Sequence, residues 1–301
     1  MKIGVTGGTG FIGQYLLREA DEHNQFVVLT SRETSDSWIK SPYITYVTGK
    51  YTYESFLDIF KECDAIVHLG AVRSNPDAEK EFKNYLVNSQ VSEELFQAAA
   101  DLGICNIVNI SSTAVYDASV SMPFCEDGKT APLSYYGAAK LVIENIAHLY
   151  NVRKKMKIKS LRLAQVLGVG ERPGYMPTIF LEKCLKGEKL SVYGQGIGGK
   201  EYIYVKDVIT AIKCAYQNSQ KEGVYNIGSG ILTTNRELAG FYCSAFENPA
   251  GYELLLEKQE NVVRHYMNVE KAKRELGFCA AYDVESALRD MKEQIKVEHI
   301  I

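Results

Sequence analysis

Apolar residues in the first half of the chain follow two alternating periods. Short apolar runs at Lys2–Thr6, Phe26–Leu29, Ile44–Val47, Ala65–Leu69, Ile107–Ile110 and Ser160–Val166 read as buried strands. Between them, Phe11–Ala20, Tyr53–Lys61, Asn84–Asp101 and Ser134–Tyr150 carry helical spacing. Such alternation predicts an α/β fold, a doubly wound and mostly parallel sheet with helices on both faces. Past Gly168 the pattern loosens. Pro177–Lys186, Val205–Tyr216, Asn235–Phe246 and Val269–Leu276 read as helices. Lys189–Val192, Val224–Ile227 and Tyr252–Leu256 read as strands, Gly194–Gly199 as a loop and Glu126–Thr130 as an exposed turn. The expected division is a larger unit, 1–167 plus 203–230, and a smaller one, 168–202 plus 231–301.

The first strand runs straight into Gly7-Gly8-Thr9-Gly10-Phe11-Ile12-Gly13, which opens the first helix. Gly7 suits a tight turn, Gly10 a close backbone approach to a pyrophosphate, and Gly13 contact between helix and sheet. Amides at the helix start then face the anion. Gly7, Thr9, Gly10, Phe11 and Ile12 are therefore expected at a dinucleotide. The second strand ends in Leu29-Thr30-Ser31-Arg32, with no carboxylate to accept bonds from both ribose hydroxyls. Ser31 can donate to a 2'-phosphate and Arg32 can pair with it. This leans towards NADP and keeps NAD open, the plainer role for Arg32 being a solvated surface residue.

Ser111-Ser112-Thr113 follows another strand, and Tyr136 and Lys140 lie four apart in a helical segment. Residues so spaced share a helix face. An ammonium beside a phenol favours the phenolate. That phenolate can take the proton of an alcohol as hydride leaves the carbinol carbon, with Ser112 or Thr113 orienting the oxygen. Lys140 can also hold a nicotinamide ribose. Tyr135, five from Lys140, turns partly off that face.

Composition removes several alternatives. The chain has 301 residues, 46% hydrophobic and 24% charged, with a net charge of -3. It can bury a large core and offers no broad nucleic-acid footprint. Arg153, Lys154, Lys155, Lys157 and Lys159 read as a solvated helix end. The seven cysteines form no CxxC pair and read as free thiols packing in place of Ala or Val, in a reducing, cytoplasmic setting. His23, His68, His148, His265 and His299 show no metal-binding spacing, so no metal is expected. His68, at a strand end near the expected cofactor, reads as a residue that packs or bonds to backbone. No basic segment precedes an apolar core at the start, and no apolar run reaches the roughly 18 residues of a membrane span, so neither a secretory signal nor a membrane partner is expected.

Taken together, Gly7, Gly10, Gly13, His68-Leu69-Gly70-Ala71, Asn88, Ser112, Tyr136 and Lys140 resemble the extended short-chain dehydrogenases/reductases of the NAD-dependent epimerase/dehydratase family. The resemblance runs through Leu161-Arg162-Leu163, Lys200–Val208, Asn226-Ile227-Gly228 and Leu276-Gly277-Phe278, nearly the whole chain. It implies a Rossmann fold with a smaller C-terminal substrate domain. It adds Leu69, Gly70, Ala71 and Asn88 to the cofactor site and gives catalysis to Ser112, Tyr136 and Lys140. Thr113, Gln165, Tyr175, Lys200, Tyr202 and Arg264 are the implied contacts to a nucleotide-diphosphate sugar, Lys200 standing where an arginine is usual. Helices 84–101 and 134–150 are expected to pair across a two-fold axis in a homodimer. After the third strand the usual acidic residue is Lys50. Sugar dehydratases of the group carry an acidic pair after the catalytic Thr; here the residues are Thr113 and Ala114, which disfavours elimination of water. What remains is epimerisation, expected at C4 through a 4-keto sugar, with a 4-ketoreductase as the alternative. A non-catalytic dinucleotide sensor and an RNA-associated protein of the same fold rank lower.

Overall fold

The computed structural model describes residues 1–33, 35–73, 81–117, 119, 122–260 and 262–298. In chain order the elements are β1 (Lys2–Thr6), α1 (Phe11–Leu17), β2 (Gln25–Thr30), β3 (Ile44–Thr48), α2 (Tyr53–Phe60), β4 (Ala65–His68), α3 (Lys83–Asp101), β5 (Asn106–Ser112), α4 (Tyr135–Lys154), β6 (Lys157–Leu163) and β7 (Gln165–Leu167). There follow α5 (Met176–Leu185), β8 (Leu190–Tyr193), β9 (Gly199–Tyr204), α6 (Val205–Gln217), β10 (Gly223–Ile227), β11 (Leu232–Thr234), α7 (Asn235–Ala245), β12 (Tyr252–Leu255), β13 (Arg264–His265), α8 (Glu270–Leu276) and α9 (Val284–Glu298).

The main sheet is parallel throughout, in the order β10-β6-β5-β4-β1-β2-β3. Its strands are apolar on both faces because helices cover both, as the continuous apolar runs require. On one side Ile107, Ile158 and Ile66 pack against Phe56 and Phe60 of α2, Leu95 and Phe96 of α3 and Ile143 of α4. On the other, Val5 and Val67 join Leu16 of α1 and Val208 and Ile212 of α6. The same core continues through Tyr204 into Leu190, Phe180, Leu238 and Tyr242 of the smaller part. There β9 pairs with β7, β11 and β13, and β8 pairs with β12.

Several expectations need adjusting. The run Ser160–Val166 is two strands. β6 ends at Leu163, the Ala164 amide makes a last bond to the Ile227 carbonyl at 3.0 Å, and β7 leaves for the smaller sheet. An apolar run does not mark where a buried strand changes sheets. The division expected between 202 and 203 falls inside β9. Val224–Ile227 does lie in the main sheet, beside β6. Lys159 is no part of a solvated helix end. It lies on β6 at 0% exposure, its Nζ donating to Asn106 Oδ1 at 2.8 Å. Burial lowers its amine to about 8. All seven cysteines are free; Cys63 and Cys184 pack inside as expected, whereas Cys105 and Cys279 are exposed. Helix α9 was not anticipated, although Ala287, Leu288, Met291 and Ile295 recur at helical spacing and are all buried. His299 lies outside the described residues.

Candidate active site

A cavity of about 690 Å³ opens at the C-terminal ends of the central strands of the main sheet, where ligands of open α/β sheets bind. Its walls include Gly7, Thr9, Gly10, Phe11 and Ile12 from the loop after β1, Ser31 and Arg32 from the end of β2, and Leu69, Gly70 and Ala71 from the end of β4. Asn88, Ser112, Tyr136, Lys140, Gln165 and Tyr175 also line it. The sequence-predicted residues outside its wall are Thr113, Lys200, Tyr202 and Arg264.

The glycines explain why this loop can hold a dinucleotide. Gly7 has φ +71, and a Cβ there would fall 2.6 Å from the Gly70 amide. A Cβ on Gly13 would lie 2.4 Å from the Gly7 carbonyl. The loop is thus pressed between β4 and α1, and its backbone lies bare on the cavity side. Asn88 fixes the opposite wall: its Oδ1 accepts from the Val72 amide at 2.7 Å and its Nδ2 donates to the Val72 carbonyl at 2.9 Å. At the β2 end the cavity meets Thr30, Ser31 and Arg32, and no carboxylate among the described residues. Sequence reasoning missed Tyr51, which lines this end and donates to the Leu29 carbonyl at 3.1 Å. Lys50, expected here, is exposed. The signal was the aromatic one position further on.

Beneath the loop His68 is buried between two hydroxyls. Ser92 Oγ donates to the Asn88 carbonyl at 2.7 Å, so it accepts from His68 Nε2 at 2.9 Å. Nδ1 then accepts from Thr6 Oγ1 at 2.6 Å. The ring packs inside as one of the two expectations had it, with Phe96 at 6.4 Å between ring centres, while its hydrogen-bond partners are side chains rather than backbone. Burial, with Lys140 nearby, lowers this imidazole to about 3.

Ser112, Tyr136 and Lys140 come together where β5 meets α4. Ser112 ends β5, and its Oγ accepts from the Ala114 amide at 3.2 Å, starting the 3-10 turn Thr113–Val115. Ser134 caps α4, accepting from the Gly137 amide at 3.0 Å. Gly137 lies hard against the turn, since a Cβ there would stand 2.2 Å from the Ala114 carbonyl. The contact holds the first turn of α4, which carries Tyr136, against the end of β5, and Ser112 lies near enough to the phenol to favour its charged form. Burial pushes the phenol up to about 12, against the lowering pull of Arg73, Ser112 and Arg172. The Lys140 ammonium lies 5.9 Å from the Tyr136 ring centre and donates to the Ile110 carbonyl at 2.6 Å. Burial lowers it to about 8, while Glu144 pulls it up. Tyr135 turns out to solvent and packs on Phe82, ring centres 6.0 Å apart.

At the mouth, Arg73 meets Glu171 at 2.8 and 3.1 Å, a two-point ion pair joining the loops after β4 and β7. Arg172 bonds the Tyr175 hydroxyl. Arg73 also escaped the sequence reading, having no motif of its own. Away from the cavity, Tyr202 is buried in the core. Lys200 sits on β9 in register with His265 of β13, whose imidazole is lowered to about 4 by burial first and by the Lys200 charge second. Arg264 alternates to the other face of β13 and donates to the Ile197 carbonyl at 2.7 Å. Among the described residues no cluster of His, Cys, Asp or Glu could hold a metal ion, and no helix is long and apolar enough to cross a membrane.

The sequence matches the NAD dependent epimerase/dehydratase family over residues 3–228. The UDP-N-acetylglucosamine 4-epimerase of Bacillus cereus superposes with a TM-score of 0.88 at 30% identity, covering 98% of this chain and 96% of that one. The low-salt glycan biosynthesis protein Agl12 of Haloferax volcanii is 29% identical over 250 residues, 79% of this chain and 80% of that protein. The dTDP-4-dehydro-6-deoxyglucose reductase of Escherichia coli is 28% identical over 250 residues, 78% of each. Fold, cavity and sequence agree: the chain is an enzyme of the NAD dependent epimerase/dehydratase family, within the extended short-chain dehydrogenases/reductases.

Proposed function

We propose that this enzyme epimerises a nucleotide-diphosphate sugar at C4 through a transient 4-keto intermediate. The observation that carries the reading is the meeting of Ser112, Tyr136 and Lys140 on one wall of a cavity whose other wall is the glycine loop. A bound nicotinamide dinucleotide supplies the hydride acceptor, and then the donor. Tyr136 takes the proton of the C4 hydroxyl and returns it after the hydride comes back to the other face. Ser112 orients the C4 oxygen. The Lys140 ammonium favours the phenolate and bonds the ribose. Gln165 and Tyr175 face the sugar. Arg32 and Ser31 take a 2'-phosphate, so NADP is preferred over NAD. The main sheet with its helices carries the dinucleotide, and the smaller part completes the sugar site begun by Ser112, Tyr136 and Gln165.

Elimination fits poorly. Among the described lining residues the carboxylate is Glu171, and Arg73 engages both its oxygens. Reduction of a 4-keto sugar is the second reading, since the same three residues serve it in one direction and a relative at 28% identity carries a reductase name. We further propose a homodimer through α3 and α4, which leave Leu86, Val87, Val142, Leu149 and Val152 exposed. Light scattering showing a monomer at micromolar concentration would contradict it.

A panel of UDP-, dTDP-, GDP- and CDP-sugars with each cofactor tests the activity. At least one pair should turn over in the wild type and lose activity in Tyr136→Phe. Wild-type turnover in that variant would remove both the epimerase and the reductase readings.

A further inference from the structure

Three successive residues of β5 each meet a residue of α4, and those partners are spaced four apart. Ser112 lies beside Tyr136 on the wall of the large cavity, the Ile110 carbonyl accepts from Lys140 Nζ at 2.6 Å, and Ser111 Oγ donates to Glu144 Oε1 at 2.6 Å. The first two contacts belong to the chemistry described above. The third does not. Glu144 lines a separate cavity of about 260 Å³ beside β6 and β10, together with Arg162. Arg162 Nε donates to its Oε1 at 2.9 Å and Nη2 to its Oε2 at 2.7 Å, both side chains being 4% exposed. A buried ion pair of this kind is a weak source of stability. Its carboxylate stands one helical turn beyond Lys140, on the same face.

We propose that Glu144 is a positioning residue for Lys140: from outside the cofactor and sugar cavity, its carboxylate keeps the lysine charged and bonded to the Ile110 carbonyl. The inference rests on the reading of Tyr136 and Lys140 as the reacting pair. The groups facing Lys140 are Tyr136 and Glu144 on α4 and His68 on β4, with Arg162 of β6 behind Glu144. Burial drives the amine towards neutrality, His68 is itself held neutral, and Glu144 opposes the loss of charge. A neutral Lys140 could no longer favour the phenolate of Tyr136, so the acid one helical turn beyond the lysine governs the base.

The test needs neither cofactor nor substrate. In 13C-lysine-labelled protein, the Cε resonance of Lys140 is followed against pH, assigned with Lys140→Arg and separated from the other buried lysine with Lys159→Arg. The wild-type midpoint should lie near 8. It should fall by about one unit in Glu144→Gln, since an attracting charge is removed. A smaller fall is expected in the double variant Glu144→Leu with Arg162→Met, which leaves no buried charge unpaired. Glu144→Asp should stay near the wild type. Ser111→Ala keeps the ion pair and should leave the midpoint in place. An unmoved midpoint in either folded acid variant overturns the proposal, as does an equal fall in Ser111→Ala. Failure of both acid variants to fold, with Glu144→Asp and Ser111→Ala folded, would assign Glu144 to stability alone and also overturn it. Turnover of UDP-glucose and UDP-N-acetylglucosamine by Tyr136→Phe is measured alongside. Wild-type activity there would remove the underlying reading without touching the titration.

Discussion

The Ala114 carbonyl lies 2.2 Å from where a side-chain carbon on Gly137 would stand. That approach seats the first turn of α4, which carries Tyr136, against the turn that follows Ser112 at the end of β5. Gly137→Ala must push the two elements apart. We expect a loss of stability of about 1–3 kcal/mol from overpacking. We also expect turnover to fall roughly 100-fold, because displacement by about an ångström costs that much in an oriented reaction. Thermal melting and steady-state kinetics read the two effects. Wild-type turnover in Gly137→Ala would mean that the contact does not set the site.

Arg32 at the end of β2 is the charge available to a 2'-phosphate on that wall of the cavity. Paired titrations should show NADP binding tighter than NAD. Arg32→Ala should weaken NADP by about 10- to 100-fold, the range of a hydrogen bond to a charged group, and leave NAD unchanged. Tighter NAD binding that ignores Arg32 would reverse the preference.

His68 links stability to pH. Its folded-state value of about 3 lies below the ordinary 6.5, so the unfolded chain takes up the proton first. The stabilisation is whole above about 6.5 and is lost as pH falls through the interval towards 3. Between pH 6.5 and 5 the loss from this residue is about 2 kcal/mol. His265, lowered to about 4, acts in the same direction. Denaturant melts across this range should show a shallower pH dependence in His68→Gln than in the wild type. Parallel curves would show that His68 does not carry the effect.

The strand–helix alternation was readable because each buried strand of the main sheet is a short apolar run and each flanking helix shows one apolar stripe. That the glycine loop, Ser112, Tyr136 and Lys140 would line one cavity was readable for a related reason: their spacing is local, and the turn, strand end and helix that hold them are local too. What escaped depends on contacts between distant segments. Tyr51 and Arg73 reach the cavity because the ends of β3 and β4 converge there, and neither carries a local pattern. Lys159 looked solvated in a basic stretch until Asn106, far away in sequence, supplied its partner. Lys200 and Arg264 are adjacent in the smaller sheet yet face opposite sides of it, a consequence of the register His265↔Lys200.

The claim that hydride leaves C4 and returns to it is tested most directly by turnover of a C4-deuterated nucleotide sugar, followed at 340 nm with mass and NMR analysis of the product. The predicted result is conversion between C4 epimers, deuterium retained at C4 and no net change in cofactor absorbance. Stoichiometric loss of reduced cofactor with a 4-keto sugar would contradict epimerisation and establish the reductase instead.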